Sequence, residues 1–309
     1  MNIDSTRHLQ LDRESRGTRY YRNAVERHWD PFDIDLDTDR ERLISYLEGE
    51  DRAEAMLDSM RMGVARFGAG EQAVTEDLAP LATALDDLDD QMFITTQIYE
   101  EAKHTDHFDR YWREVIHPTE EALGFELSSP TDDKWFNDAY HELFERNEEA
   151  THRLLDDPTP EDFARAYCHY HLVIEGILAQ TGYYGMQQSY AKDSHTDLPH
   201  LPGIYEGFTK IRQDEGRHVG FGMAKLKELV AEEGVDPHLL DETVNELLPF
   251  VNKIAANPED QYVENVGPQP AELQQFATEK HVERMEQIKD AAQDVPDLES
   301  LTELEGVGD

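Results

Sequence analysis

Cysteine is nearly absent from this chain: Cys168 stands alone, so no internal disulfide can form and a reducing cytoplasm is the expected compartment. Long apolar runs are missing as well. Nowhere do roughly 18 apolar residues follow one another, which excludes a transmembrane segment of the helical kind. The first 27 residues are charged throughout and lack the apolar core of a secretory signal. Lysine is scarce, nine against nineteen arginines, and no basic patch exists to neutralise phosphates, so nucleic acid is not an expected partner. Strand-like alternation is hard to find; helical periodicity dominates and predicts an all-α protein.

What the chain has in excess is acid. It carries 68 acidic and 28 basic side chains for a net charge of −40, spread over every segment. Such self-repulsion opposes a compact state in dilute buffer, but at molar salt the screening length falls to about 3 Å and the cost nearly vanishes. The composition is read as a halophilic adaptation to a very salty cytoplasm.

Residues 1–37 read as an irregular N-terminal arm, with Trp29-Asp30-Pro31-Phe32 as its docking point. A single helical domain is expected over 38–295 and a loose acidic tail over 296–309. The pattern predicts helices at about 38–63, 66–86, 89–116 (stopped by Pro118) and 132–154. Further helices are predicted at 160–190, 204–233, 237–255 and 271–291. Pro160 followed by Glu161 and Asp162 is a favourable helix opening. Lys192 to Gly203 reads as a loop, and Pro258, Pro268 and Pro270 mark another.

Four Glu-x-x-His pairs occur, and their helical neighbours separate them. Glu101/His104 shares a stripe with Ile94, Ile98 and Phe108; Glu215/His218 shares one with Phe208 and Ile211. Glu114/His117 instead lies with Arg110 and ends at Pro118, while Glu149/His152 sits among charges on a solvated face. Two single glutamates also interrupt apolar stripes: Glu71 among Val64, Phe67, Val74 and Leu78, and Glu175 among Cys168, Leu172 and Leu178. A buried acid of this kind is ordinarily a core glutamate paired with an arginine. Four acids and two histidines in the order Glu, Glu-x-x-His, Glu, Glu-x-x-His match instead the ligand set of a two-metal site inside a helix bundle. Four carboxylates balance two divalent ions, and mixed oxygen and imidazole ligation suits iron or manganese. Asp214 is assigned to orient a ligand imidazole; Glu100 is left facing either solvent or a ligand.

The stretches Gly70-Glu71-Gln72-Ala73-Val74-Thr75-Glu76-Asp77, Glu100-Glu101-Ala102-Lys103-His104-Thr105, Glu175-Gly176-Ile177-Leu178-Ala179 and Asp214-Glu215-Gly216-Arg217-His218 resemble one family. It is the ligand-binding oxidases related to the small subunit of ribonucleotide reductase, and the similarity runs from about Trp29 to about Glu246. The resemblance implies a ferritin-like four-helix bundle core with additional helices. It implies a manganese ion at Glu71, Glu101 and His104 and an iron ion at Glu175, Glu215 and His218, bridged by Glu101, with an iron pair as the other composition. It further implies a long-chain fatty-acid-like ligand at the metals, dioxygen as oxidant, a homodimer, and an ether cross-link between Val74 and Tyr170. Val74 is three residues from Glu71 and faces the same way. Tyr170, five residues before Glu175, needs a π-type distortion to do so. Gly182 and Gly222 are expected to leave room for a lipid chain.

The alternative is a radical-generating ribonucleotide reductase subunit. Against it, Phe108 occupies the place where such a subunit stores its tyrosyl radical, and no tyrosine follows Tyr262 to relay one. A ferritin-like iron store is a third reading, for which no cage-forming surface is recognisable.

Overall fold

The computed structural model describes residues 11–192, 198–255, 267–289 and 295. Helices occupy these residues, and there is no β-strand among them. The arm is not irregular throughout: Ser15 accepts from the Thr18 amide and starts helix α1 (Arg16–Glu26). Trp29 docks as expected and is buried, whereas Phe32 remains 66% exposed beneath the Arg110 guanidinium.

Helices α2 (Asp37–Leu47) and α3 (Ala53–Ala84) follow. The break falls at Gly49, which takes φ 83° just past the end of α2, and not between 63 and 66. Gly49 supplies the left-handed turn that ends a helix without a Cβ penalty. Gly63 stays helical because its bare Cα faces the Met186 sulfur. Asp87 accepts from the Asp89 and Asp90 amides to open α4 (Leu88–Tyr111). The expected stop at Pro118 does not occur. A π turn (Trp112–Ile116) leads into α5 (His117–Leu123), where Pro118 sits in the first turn and ends no ladder.

Asn137 caps α6 (Asp138–His152), and a Thr159/Asp162 capping box with Pro160 opens α7 (Pro160–Tyr167). The chain then winds as a π-helix from Cys168 to Ala179 and returns to regular winding in α8 (Gln180–Tyr190). Next come α9 (Pro202–Ala231), α10 (Pro237–Ala255) and α11 (Pro270–Lys289). Asp39 of α2 accepts from the Gly203 and Ile204 amides, each at 2.8 Å, and so caps α9 from a distance. The expected features around Pro258 and beyond Pro296 lie outside the described residues.

Helix α3 packs on α4, and α9 packs on residues 168–179, making the four-helix core of a ferritin-like bundle. Helix α1 crosses α4 and α9, while α6, α10 and α11 cover the flanks. Apolar side chains close the bundle on both sides of its centre. Phe93, Leu172 and Phe221 lie on one side, and Phe108, Phe208 and Ile211 on the other. Burial of each is worth about 1.5–3 kcal/mol, which is what holds polar residues between them in place.

Candidate metal centre

Each core helix carries part of one cluster: Glu71 on α3, Glu101 and His104 on α4, Glu175 on the π stretch, and Glu215 and His218 on α9. The six residues predicted from spacing are brought together and buried. Their ligand atoms form two groups, each within 4.8 Å: Glu71, Glu101, His104 and Glu215, then Glu101, Glu175, Glu215 and His218. Glu101 and Glu215 are both shared between the groups. His104 Nδ1 lies 3.2 Å from Glu71 and 3.3 Å from Glu101. His218 Nδ1 lies 3.0 Å from Glu101, 3.2 Å from Glu215 and 3.3 Å from Glu175.

The outer nitrogens are held crosswise. His104 Nε2 meets Asp214, which precedes the ligands of α9, at 3.2 Å. His218 Nε2 meets Glu100, which precedes the ligands of α4, at 2.9 Å. Asp214 thus orients an imidazole as its position suggested, but that of the other motif, and Glu100 is its counterpart. Asp214 also accepts from Trp29 Nε1 and Lys103 Nζ, both at 2.8 Å, and Arg217 spans Asp214 and Glu100. Lys103 lies over the Trp29 ring, and Trp29 stacks on His104. Since both outer carboxylates are acceptors, each Nε2 carries the imidazole hydrogen. With neutral imidazoles and ionised carboxylates, each Nδ1 turns a lone pair toward oxygens that hold only lone pairs, an arrangement that a cation in between would satisfy.

Charge agrees with this geometry. Glu100 and Asp214 are matched by Lys103 and Arg217, whose partners draw the Arg217 pKa upward. Among the described residues, no lysine or arginine makes an ion pair with Glu71, Glu101, Glu175 or Glu215. Burial pushes the carboxyls of Glu71 and Glu175 well above the usual range. Burial opposes ionisation of Glu101 too, but His218 and His104 hold it well below that range. Burial disfavours the charged imidazoles, yet the surrounding carboxylates, led by Glu71 for His104 and Glu101 for His218, raise both well above the ordinary value. Glu175 Oε2 is buried without a hydrogen-bond partner. Four carboxylates and two inward lone pairs fit two divalent ions, which protons can replace only in part.

The π stretch brings Tyr170 to the cluster as the five-residue spacing required. Its hydroxyl donates to Glu101 Oε1 at 2.8 Å and accepts from Gln97 Nε2 at 3.1 Å. Val74 is buried and shares a cavity wall with Glu71. That cavity, about 490 Å³, has the four carboxylates at its inner end and reaches residues 267–273 at the surface. Phe67, Val74, Phe144, Ile174, Leu178 and Met186 make its wall largely apolar. Gly182 lines it as expected, whereas Gly222 does not: a Cβ there would stand 2.2 Å from His171 Cβ. Its role is to admit the His171 ring. The two bland motifs stay outside. Glu114 pairs with Arg110, His117 meets the Ser128 carbonyl, and His152 stands in solvent beside Glu148.

Spacing did not reveal Gln97, Lys103, His171 or Arg217. Gln97 could have been found, being a polar residue one turn before Glu101 on the same stripe. Lys103 and Arg217 are lone cations inside acidic motifs, and this was the available signal for them.

Fold and cluster together define a helical bundle protein with a buried carboxylate and imidazole site suited to two ions. No family model matches the chain. Among solved structures, an R2-like ligand-binding oxidase variant with anaerobically reconstituted Mn/Fe cofactor shares 30% identity at TM-score 0.72, covering 89% of this chain and 94% of that one. Another variant with aerobically reconstituted Mn/Fe cofactor shares 29% identity at TM-score 0.74, covering 90% and 98%. A third, with a non-activated Mn/Mn cofactor, shares 28% at TM-score 0.74, covering 91% and 98%. The chain belongs to the R2-like ligand-binding oxidases.

Proposed function

We propose that this protein is a cytoplasmic, dioxygen-activating oxidase with a dinuclear manganese and iron centre and a long-chain fatty-acid-like ligand. The observation that carries the reading is the pair of inward Nδ1 atoms, each clamped from behind and facing carboxylates that no lysine or arginine among the described residues pairs with. Glu71, Glu101 and His104 would hold one ion and Glu175, Glu215 and His218 the other, with Glu101 shared between them. When bound, the ions supply the redox chemistry that reduces dioxygen and oxidises a C–H or O–H bond. The chain's own part is positioning and exclusion of water. Asp214 and Glu100 fix the imidazoles, and the apolar wall admits an aliphatic chain whose carboxylate reaches the cluster. A cavity of about 490 Å³ is in the range of small-molecule sites.

Tyr170 and Val74 are the residues proposed to be oxidised. An aliphatic C–H of Val74 and the O–H of Tyr170 are replaced by one C–O bond, releasing two electrons and two protons. Dioxygen becomes two waters by taking those electrons with two more from the divalent ions, and two further protons come from solvent. The Tyr170 hydroxyl hydrogen already points to Glu101, which gives the phenol proton its acceptor. The reductase reading is weakened by Phe108, which packs against Phe67 and Phe208 where a radical tyrosine would be needed. A homodimer belongs to the proposal on the family resemblance.

Elemental analysis with mass spectrometry of tryptic peptides tests this. Expected are two ions per chain, one manganese and one iron. After exposure to air, the peptides of Val74 and Tyr170 should be joined at a mass two hydrogens short of their sum. Fewer than two ions after reconstitution, or unlinked peptides alone, would overturn the assignment.

A further inference from the structure

Gln97 has no place in any ligand set, yet it is fully buried beside the cluster. Its amide nitrogen lies 3.0 Å from Glu175 Oε1 and 3.1 Å from the Tyr170 hydroxyl oxygen. Its amide oxygen faces His171 Nε2 at 3.4 Å. His171 is itself buried, its ring edge-on to Tyr170 with centroids 4.5 Å apart, and its Nδ1 has no hydrogen-bond partner. The ring is wedged in place where Gly222 lacks a Cβ.

We propose that Gln97, held by His171, is a positioning residue that sets the direction of the Tyr170 hydroxyl. The argument is one of donors and acceptors. A neutral imidazole has one hydrogen, and with Nδ1 unpartnered it belongs on Nε2, where it donates to Gln97 Oε1. That fixes the amide so that both of its hydrogens point the other way, to Tyr170 and to Glu175. With the amide reversed, its oxygen would oppose the Glu175 carboxylate and its NH2 would oppose the His171 N–H, leaving buried groups mismatched at both ends. Glu175 Oε1 is then occupied by Gln97, and the phenol oxygen already accepts. Its one hydrogen is left with Glu101 Oε1. The polarity runs one way along the whole chain, from His171 through Gln97 to Tyr170 and Glu101. Without Gln97, the phenol stands between two carboxylates with nothing to choose the one that bridges.

The inference rests on the two-metal reading only for the meaning of Glu101 and Glu175; the hydrogen-bond direction is a property of the metal-free chain too. The test is therefore made on the full-length protein with ring-labelled tyrosine, both metal-free and loaded anaerobically with Mn(II) and Fe(II). The infrared C–O stretch of Tyr170 is assigned as the band lost in Tyr170→Phe. In the wild type it should report a phenol that donates and accepts. In Gln97→Leu it should move to the frequency of a phenol that only donates. In Gln97→Glu, of nearly the same shape, it should leave the wild-type position as well, since the new group cannot give two hydrogens. His171→Phe, two links away, should broaden the band by freeing the amide to turn over, with thermal melts confirming that each variant is folded. An unmoved Tyr170 band in both Gln97 variants overturns the proposal. A wild type that binds fewer than two ions overturns the metal reading alone, because the metal-free spectra still decide the role of Gln97.

Discussion

On the outward side of the six ligand residues, Glu100 and Asp214 are matched by Lys103 and Arg217. On the inward side, Glu71, Glu101, Glu175 and Glu215 meet imidazoles and an apolar cavity, with no lysine or arginine against them among the described residues. Both sides are buried, so the desolvation cost is comparable, and the difference lies in where the compensating charge comes from. The outer layer is complete as a protein. The inner layer is complete only with ions, and its acids are kept close to one another by the surrounding apolar packing.

The contrast should break most severely at Glu101, the proposed bridge. Glu101→Ala removes one of the two carboxylates common to both groups and should abolish dinuclear loading, read by elemental analysis. Normal occupancy of both sites in that variant would refute the ligand assignment. On the outer side, Asp214→Asn and Glu100→Gln should weaken metal affinity by roughly 10–100-fold, as loss of an orienting partner does. A chelator competition should find the ion near His104 more affected by the first and the ion near His218 by the second. Acid should act in the same direction. The folded-state pKa values of both imidazoles are raised well above the ordinary value, so protons already compete for Nδ1 at neutral pH, and affinity should rise as pH is taken above neutral and fall as it is lowered.

Asp77 sharpens the comparison as a buried acid with no lysine or arginine ion pair among the described residues. Burial raises its pKa to about 6, offset in part by Asn147, which donates to it at 2.7 Å. The native state holds this proton more tightly than the unfolded chain, whose pKa is about 4. Its contribution to stability is therefore full below pH 4, falls as pH rises to about 6, and is flat above. Asp77→Asn should stabilise the protein by about 1–2 kcal/mol above pH 6 in denaturant titrations and remove that slope. Charge removal should thus help at Asp77 and ruin loading at Glu101. On the cavity side, Gly63→Leu should grow past the flexible Met186 into the cavity. Lipid copurifying with the protein should be lost with metal content kept. The smallest effect per residue is the surface one: with a net charge of −40, melting temperature should rise as salt is raised from dilute to molar.

The six residues of the buried cluster were legible because each pattern is local: a glutamate, or a glutamate and a histidine one turn on, set in an apolar stripe. The π distortion was legible only through the family resemblance, which asks Tyr170 to face the cluster five residues before Glu175. What joins distant helices was not. That Asp214 serves His104 while Glu100 serves His218 depends on how α4 and α9 face each other, which neither sequence segment encodes alone. Helix ends failed where tertiary context outweighed punctuation. Pro118 ended nothing because it falls in the first turn after the π turn, where its missing N–H is tolerated, and Gly63 broke nothing because a neighbour fills its place. The break fell at Gly49, where the backbone needs a left-handed residue.

Between Cys168 and Ala179 the chain winds wide, and length there matters as much as composition. A regular helix turns by about 100° per residue. Over the five residues from Tyr170 to Glu175, regular winding at unchanged length would turn the phenol by about 140° from the face of Glu175 and so away from Glu101. Loss of one residue between them would leave a spacing of four, only about 40° off that face, so a regular helix could carry the same tyrosine to the cluster only in a chain one residue shorter.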